Sequence, residues 1–154
     1  MRQMRRKDRE LPAEEGYAIL DEAIYGTLAL GGEEGPYAVA LNHVRVDGTV
    51  YFHCAREGLK IDLMRADPRA CYSVVSLARV EDVGQTMYYR SAVVRGNLRE
   101  CAPEEARVAA VALLARFCGG ASLPEGWDEA LFLALDVASI MAKSNPLPQG
   151  GHHA

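Results

Sequence analysis

The dipeptide Asp47-Gly48, set between two β-rich runs at 37–46 and 49–55, limits the fold of this chain more than any other feature. Asp-Gly flanked by alternating apolar and polar residues predicts a β-hairpin closed by a two-residue type I′ turn. Such a turn sets the register: Val46 faces Thr49, Val44 faces Tyr51, Asn42 faces His53 and Ala40 faces Ala55, each pair on one side of the sheet. One face then carries Val39, Leu41, Val50, Phe52 and Cys54, a set suited to a core. The other carries Ala38, Ala40, Asn42, Tyr51, His53 and Ala55. On pattern alone this second face describes the solvated side of an antiparallel sheet. Its small residues and two polar side chains also suit a flat ligand.

The segment after the hairpin favours the ligand. Arg56-Glu57-Gly58 leads into a helical run at 59–66, with Leu59, Leu63 and Ala66 on one face and Asp67-Pro68 as its stop. Lys60 falls in the first turn, where unpaired N–H groups and the helix dipole favour an anion and a Lys adds a point charge for phosphate. Alone, such a Lys is a surface charge, and Glu57 opposes an anion.

The rest of the chain reads as strands with inserted helices. A short helix is expected at 17–22, then a strand at 25–30 ending in the Gly- and Pro-containing turn 31–36. Strands follow at 70–77 and 87–99, joined by a polar loop at 79–85, with Gly96 marking a bulge. Pro103-Glu104-Glu105 opens a helix that Arg116 and Gly119-Gly120 close. Its stripe of Val108, Val111, Leu114, Ala115 and Cys118 is expected to pack on the sheet. After Trp127, the apolar run 131–138 is the closing strand, and the 146–154 tail, with His152-His153, is expected to be mobile.

With 154 residues, 49% of them hydrophobic, the chain suits one sizeable core and one domain. A net charge of −4 argues against a nucleic-acid surface. Cys54, Cys71, Cys101 and Cys118 show no metal-like spacing and read as reduced, mostly buried thiols. The basic start at 1–7 is followed by no apolar run, so neither leader nor anchor is expected; no window reaches membrane-spanning length, and a cytoplasmic chain is expected.

Of the histidines, His43 lies on the apolar face and is expected to be a hydrogen-bonded core residue, whereas His53, opposite Asn42 among small neighbours, is the candidate functional group. A zinc site, a nucleophile elbow, a Walker loop and a dinucleotide fingerprint all lack their residues.

Residues Tyr37-Ala38-Val39-Ala40-Leu41-Asn42-His43, then Tyr51-Phe52-His53-Cys54-Ala55-Arg56-Glu57-Gly58-Leu59-Lys60, Asp67-Pro68 and Tyr89-Arg90-Ser91-Ala92-Val93-Val94-Arg95-Gly96 resemble the nitroimidazole-resistance (Nim) proteins of the pyridoxamine 5′-phosphate oxidase-like, FMN-binding split-barrel superfamily. The His-x-Ala-x-Glu-Gly-x-Lys segment is the most specific part, and the resemblance runs from about Met4 to Lys143. Ala40 stands where many relatives have Pro, and Ile140-Met141-Ala142-Lys143 where they often read Ile-Thr-Gly-Lys. The Trp- and Arg-containing C-terminal segment by which pyridoxamine 5′-phosphate oxidases hold their substrate has no match here, so that activity is not expected.

The resemblance implies a mainly β fold with inserted helices: a six-stranded antiparallel Greek-key split barrel over 17–145, after an N-terminal extension at 1–16. It implies a homodimer with FMN in each of two grooves between subunits, and a small aromatic substrate such as a nitroimidazole. Lys60 and the turn at Gly58 would hold the flavin phosphate; Ala38, Ala40, Asn42, His53 and Ala55 would line the ring, with Arg90 or Ser91 reaching flavin or phosphate. His53 would be the catalytic residue, a hydrogen-bond donor or proton source. The alternative is a flavin- or haem-binding module without turnover, with His53 or His43 as axial ligand.

Overall fold

The computed structural model describes residues 4–81, 86–120 and 122–146. Residues 1–3 of the basic start, 82–85 of the expected loop, and 147–154 of the tail lie outside the described residues. Eight strands form one antiparallel sheet: β1 (Glu10–Leu11), β2 (Tyr25–Leu30), β3 (Tyr37–Asn42), β4 (Val44–Val46), β5 (Thr49–Cys54), β6 (Arg69–Glu81), β7 (Thr86–Glu100) and β8 (Leu131–Asn145). Three α-helices are inserted: α1 (Ala13–Glu22), α2 (Leu59–Ala66) and α3 (Pro103–Cys118).

The strand order is β3-β2-β6-β7-β8-β5-β4, with β1 paired to the end of β8. β3 and β4 stand at opposite ends of that order, yet only His43 separates them in sequence, so the sheet curls until its two edges meet at this residue. The product is the split barrel that the resemblance implies, mainly β with inserted helices. It has eight strands rather than six because β1 is a two-residue addition and the first long run breaks at His43.

That break corrects the expected register. Around Asp47-Gly48, Val46 pairs with Thr49 and Val44 with Tyr51, as the turn requires. Beyond His43 the ladder does not continue: Asn42 pairs with Tyr25 and Ala40 with Thr27 on β2, while His53 pairs with Phe132 on β8. The corner is held by the buried His43 ring, whose Nε2 lies 2.8 Å from the Leu20 carbonyl oxygen and whose Nδ1 lies 2.9 Å from the Tyr72 hydroxyl. The turn itself has positive φ at Asp47 (53°) and not at Gly48, whereas type I′ needs it at both.

The inner face buries Leu28, Val50, Phe52, Tyr72, Val94 and Leu133 completely, with Val39, Leu41 and Cys54 at the margin. α1 adds Ile19 and Leu20, and α2 adds Ile61 and Met64; each such side chain contributes about 1.5–3 kcal/mol by leaving water. The expected α2 stripe is therefore turned: Leu59 is 56% exposed and Ala66 is exposed. The chain enters α2 through Gly58 at φ 119°, which aims the Ile61 and Met64 side inward.

α3 is turned as well. It packs on the outer faces of β4, β5 and β8 through Ala109, Ala110 and Leu113, while Val108 and Val111 are about half exposed. The sheet supplies the bulk at this contact, with Tyr51 and Phe132, so the alanine face of the helix fits closest. Arg79, Val80 and Glu81 belong to β6 rather than to a loop. At Gly96 the β7–β8 register shifts as expected, and a Cβ there would overlap the Asp136 carbonyl oxygen. The cysteines are free, but Cys54, Cys71 and Cys101 are only half-buried and Cys118 is exposed.

Candidate functional site

Asn42 and His53 do come together, although not as a cross-strand pair. Both line a cavity of about 260 Å³ between the sheet and the C-terminal half of α3. Asn42 arrives there because His43 pins the adjacent corner, and His53 because β5 hydrogen-bonds β8 beside Phe132. The Phe132 ring stands between two others, 6.5 Å from the His53 centroid and 6.1 Å from that of Trp127. Leu113, Leu114 and Phe117 of α3 form the opposite wall, and Leu123 and Pro124 the end. The polar side chains of this hollow are the Asn42 carboxamide, the His53 imidazole, the Trp127 indole N–H and the Cys118 thiol.

His53 is open to solvent on one side, and its ring nitrogens have no hydrogen-bond partner among the described residues. Partial burial, and then the charge of Lys60, push its pKa below the ordinary value, so the ring is neutral near pH 7. Lys60 lies in the first turn of α2, within hydrogen-bonding reach of the Cys54 thiol and without a carboxylate partner among the described residues. Burial pushes the Cys54 thiol up and Lys60 pulls it down. His53, Cys54 and Lys60 therefore form one electrostatic group at the end of β5, with the exposed Ala55 and Gly58 between them in sequence.

Ala38 and Ala40 are exposed on β3. Their cross-strand neighbours on β2, Ala29 and Thr27, continue the same face, which Tyr25 and Val75 extend at 63% and 51% exposure. The result is an open wall of small and apolar side chains running up to Asn42. A flat ring fits such a wall, and Lys60, without a carboxylate partner among the described residues, fits a phosphate, so the residues present suit a flavin mononucleotide. The 260 Å³ cavity alone lies below the range of about 300–1,000 Å³ typical of small-molecule sites and leaves the bulk of such a cofactor outside on the wall.

Two other hollows suit a phosphate less. One of about 870 Å³ lies between the 31–36 turn and α2, where Glu33, Glu34, Asp62 and Asp67 outnumber the single lining cation, Arg69, which is already paired with Asp67. Another of about 310 Å³ lies beside Glu22, Tyr25 and Ser76.

Arg90 and Ser91 stand apart from this group. Arg90 binds Glu22 through one nitrogen, at 2.7 and 2.6 Å, and Glu15 at 2.8 Å, which ties β7 to α1. Ser91 is buried next to it. His43 has both ring nitrogens engaged and is pushed down to about pKa 4 by burial, which leaves it no lone pair for a metal. Among the described residues, no group of three or more His, Cys, Asp and Glu side chains could hold a metal ion, and no helix is long and apolar enough to cross a membrane.

Sequence reasoning missed the α3 side of the cavity and Arg56. Arg56 donates from Nε to the Glu129 carbonyl at 2.9 Å and from Nη2 to that of Asp128, clasping the turn that carries Trp127. The available signal was the lone Trp just before the closing strand, read only as a boundary.

The solved structures similar to this chain include a candidate 5-nitroimidazole antibiotic resistance protein from Bacteroides thetaiotaomicron, with a TM-score of 0.77 and 19% identity over 88% of this chain and 86% of that one. A FAD-binding protein from Mesorhizobium loti gives 0.69 and 23% over 89% and 97%, and a FAD and heme binding protein from Mycobacterium smegmatis 0.72 and 23% over 90% and 73%. At these identities the likeness shows the fold. A search of curated protein sequences finds no match. The family model described as pyridoxamine 5′-phosphate oxidase matches residues 12–143, which takes in all three helices, the sheet apart from β1 and the last two residues of β8, and the His53–Lys60 group: the chain belongs to that family.

Proposed function

We propose that this protein binds FMN on the wall formed by Ala38, Ala40 and Asn42 and acts as an oxidoreductase on small, electron-poor aromatic compounds such as 5-nitroimidazoles. The observation that carries this reading is the occurrence together of a neutral His53, a Lys60 with no carboxylate partner among the described residues, and an open wall of small side chains next to an aromatic cavity. It is supported by the family and by the descriptions of the similar proteins, among them a 5-nitroimidazole antibiotic resistance candidate and a FAD-binding protein.

The bound flavin supplies the electron transfer, and the protein supplies placement and hydrogen bonds. Lys60, with the N–H groups of the α2 start that Gly58 opens, neutralises the phosphate. Asn42 offers a donor and an acceptor to a ring edge. His53, neutral at pH 7, donates a hydrogen bond through one nitrogen to a developing anion at the cavity mouth. Arg90, held by Glu15 and Glu22, and the buried Ser91, cross-strand neighbour of Val75, have no direct role in this reading.

A second reading, a haem-binding module, is favoured by the unengaged ring nitrogens of His53 and by the similar FAD and heme binding protein. An absorption spectrum of the purified protein decides between them: oxidised-flavin bands support the first reading and a Soret band the second. Replacing His53 by Ala should leave fold and flavin content intact while reduction of a nitroaromatic test compound falls about a hundredfold. Unchanged turnover in flavin-loaded protein would remove His53 from the chemistry.

A further inference from the structure

We propose that the cavity under α3 is a specificity pocket for an uncharged planar aromatic ring, and that Arg56, which clasps the Trp127 turn, is the positioning residue for its wall. This rests on the flavoprotein reading for what happens to the ring, but not for whether the ring binds.

The class of ligand follows from the lining. Three aromatic side chains, Phe117, Trp127 and Phe132, line it together with Leu113, Leu114 and Leu123. No Lys, Arg, Asp or Glu is among the lining residues, and His53 is neutral. Lys60, whose charge acts on His53, is not part of the wall. A carboxylate or phosphate placed here would lose its water without gaining a counter-charge, which costs far more than seating a neutral ring. Asn42 and His53 lie on the same lining and supply the polar contacts that orient one edge of the ring.

The wall opposite α3 is a short 3₁₀ turn, Trp127–Glu129, whose Trp127 packs at the edge of the core under α3 and bonds the Pro124 carbonyl through its backbone N–H at 3.3 Å. Within the turn, Gly126 takes φ 75° and the Glu129 N–H bonds the Gly126 carbonyl at 3.0 Å. The clasp from outside is Arg56, whose planar fork reaches two successive carbonyls, Asp128 and Glu129. Arg56 lies three residues after His53. One side chain thus fixes the distance between the strand that carries the imidazole and the turn that carries the indole, without touching the bound ring.

Trp127 is the only tryptophan of the sequence, so its fluorescence reports this pocket directly. The flavin-loaded protein is titrated with 4-nitrobenzyl alcohol and with its anionic counterpart 4-nitrobenzoate. Saturable quenching by the alcohol, with the anion at least about tenfold weaker, is expected. Arg56→Ala should weaken the alcohol about tenfold with flavin content unchanged, and Arg56→Lys, which cannot fork, should recover only part of the loss. If Arg56→Ala does not fold, Phe117→Lys takes its place: a cation on the pocket rim should bring the preference for the alcohol close to nothing or reverse it. Equal, non-saturating quenching by both probes, or full binding of the alcohol by Arg56→Ala, overturns the proposal. Selective quenching in a protein that carries no flavin would leave the pocket standing and remove the flavoprotein reading; flavin bands without selective quenching would do the reverse.

Discussion

Lys60 and His43 illustrate opposite uses of one charged or chargeable side chain. Lys60 stands at the start of α2 with no carboxylate partner among the described residues, so its charge is available to a ligand. If that ligand is the flavin phosphate, Lys60→Ala should weaken FMN by about 1.5–3 kcal/mol, roughly tenfold to a hundredfold, and leave riboflavin nearly unchanged. Equal weakening of both in a flavin-binding titration would place Lys60 elsewhere. His43 is instead committed to the fold. Its Nε2–H donates to the Leu20 carbonyl, and burial lowers its pKa from 6.5 to about 4. Between these values the unfolded chain binds a proton that the native ring refuses, so stability is complete above pH 6.5 and declines as pH falls towards 4. The loss is roughly 3 kcal/mol at about 1.4 kcal/mol per unit. Urea midpoints taken at one protein concentration between pH 7 and pH 4 should show this decline, and His43→Gln, less stable at neutral pH, should show a flatter profile.

At the scale of elements, the helices show where a pattern stops being informative. α3 has two apolar stripes, and the sequence offers no way to see that the larger one, Val108 and Val111, faces out while Ala109, Ala110 and Leu113 face in. The choice is made by Tyr51 and Phe132 on the sheet, whose bulk is matched by the small Ala109 and Ala110 beside Leu113. Leu113→Ala should therefore cost about 2–5 kcal/mol in thermal or urea unfolding, whereas Val111→Ala should stay within about 0.5 kcal/mol. The strands were more legible. β2 begins and ends as expected, the bulge at Gly96 is where the glycine announced it, and the pairs nearest Asp47-Gly48 follow from the turn. What could not be read was the break at His43, because it depends on Leu20 and Tyr72, distant in sequence. The same holds for the cavity: Asn42 and His53, which fall within one local stretch, are legible as neighbours, while Arg56, Trp127 and Phe117 meet only through the turn and α3.

At the scale of the whole molecule, the open wall is the unfinished part of the structure. Tyr25, Thr27, Ala38, Ala40 and Val75 are exposed side by side on β2, β3 and β6, an apolar patch of the kind that marks an interaction surface. A flavin lying on this wall is covered on one face only, and a two-fold copy placing its own wall opposite would cover the other, since an isologous contact brings the same patch from each subunit. The protein is therefore expected to be a homodimer, with an interface near the usual size of about 800 Å² per partner. Sedimentation equilibrium at micromolar concentration should give the dimer mass. Val75→Arg, which sets an unpaired cation against an apolar partner surface, should shift the protein to monomer and release flavin with it. Val111→Glu, on the exposed stripe of α3, should do neither, which separates the wall from that stripe. A wild-type monomer that keeps its flavin would show that one barrel completes the site by itself, and the composite groove would have to be abandoned.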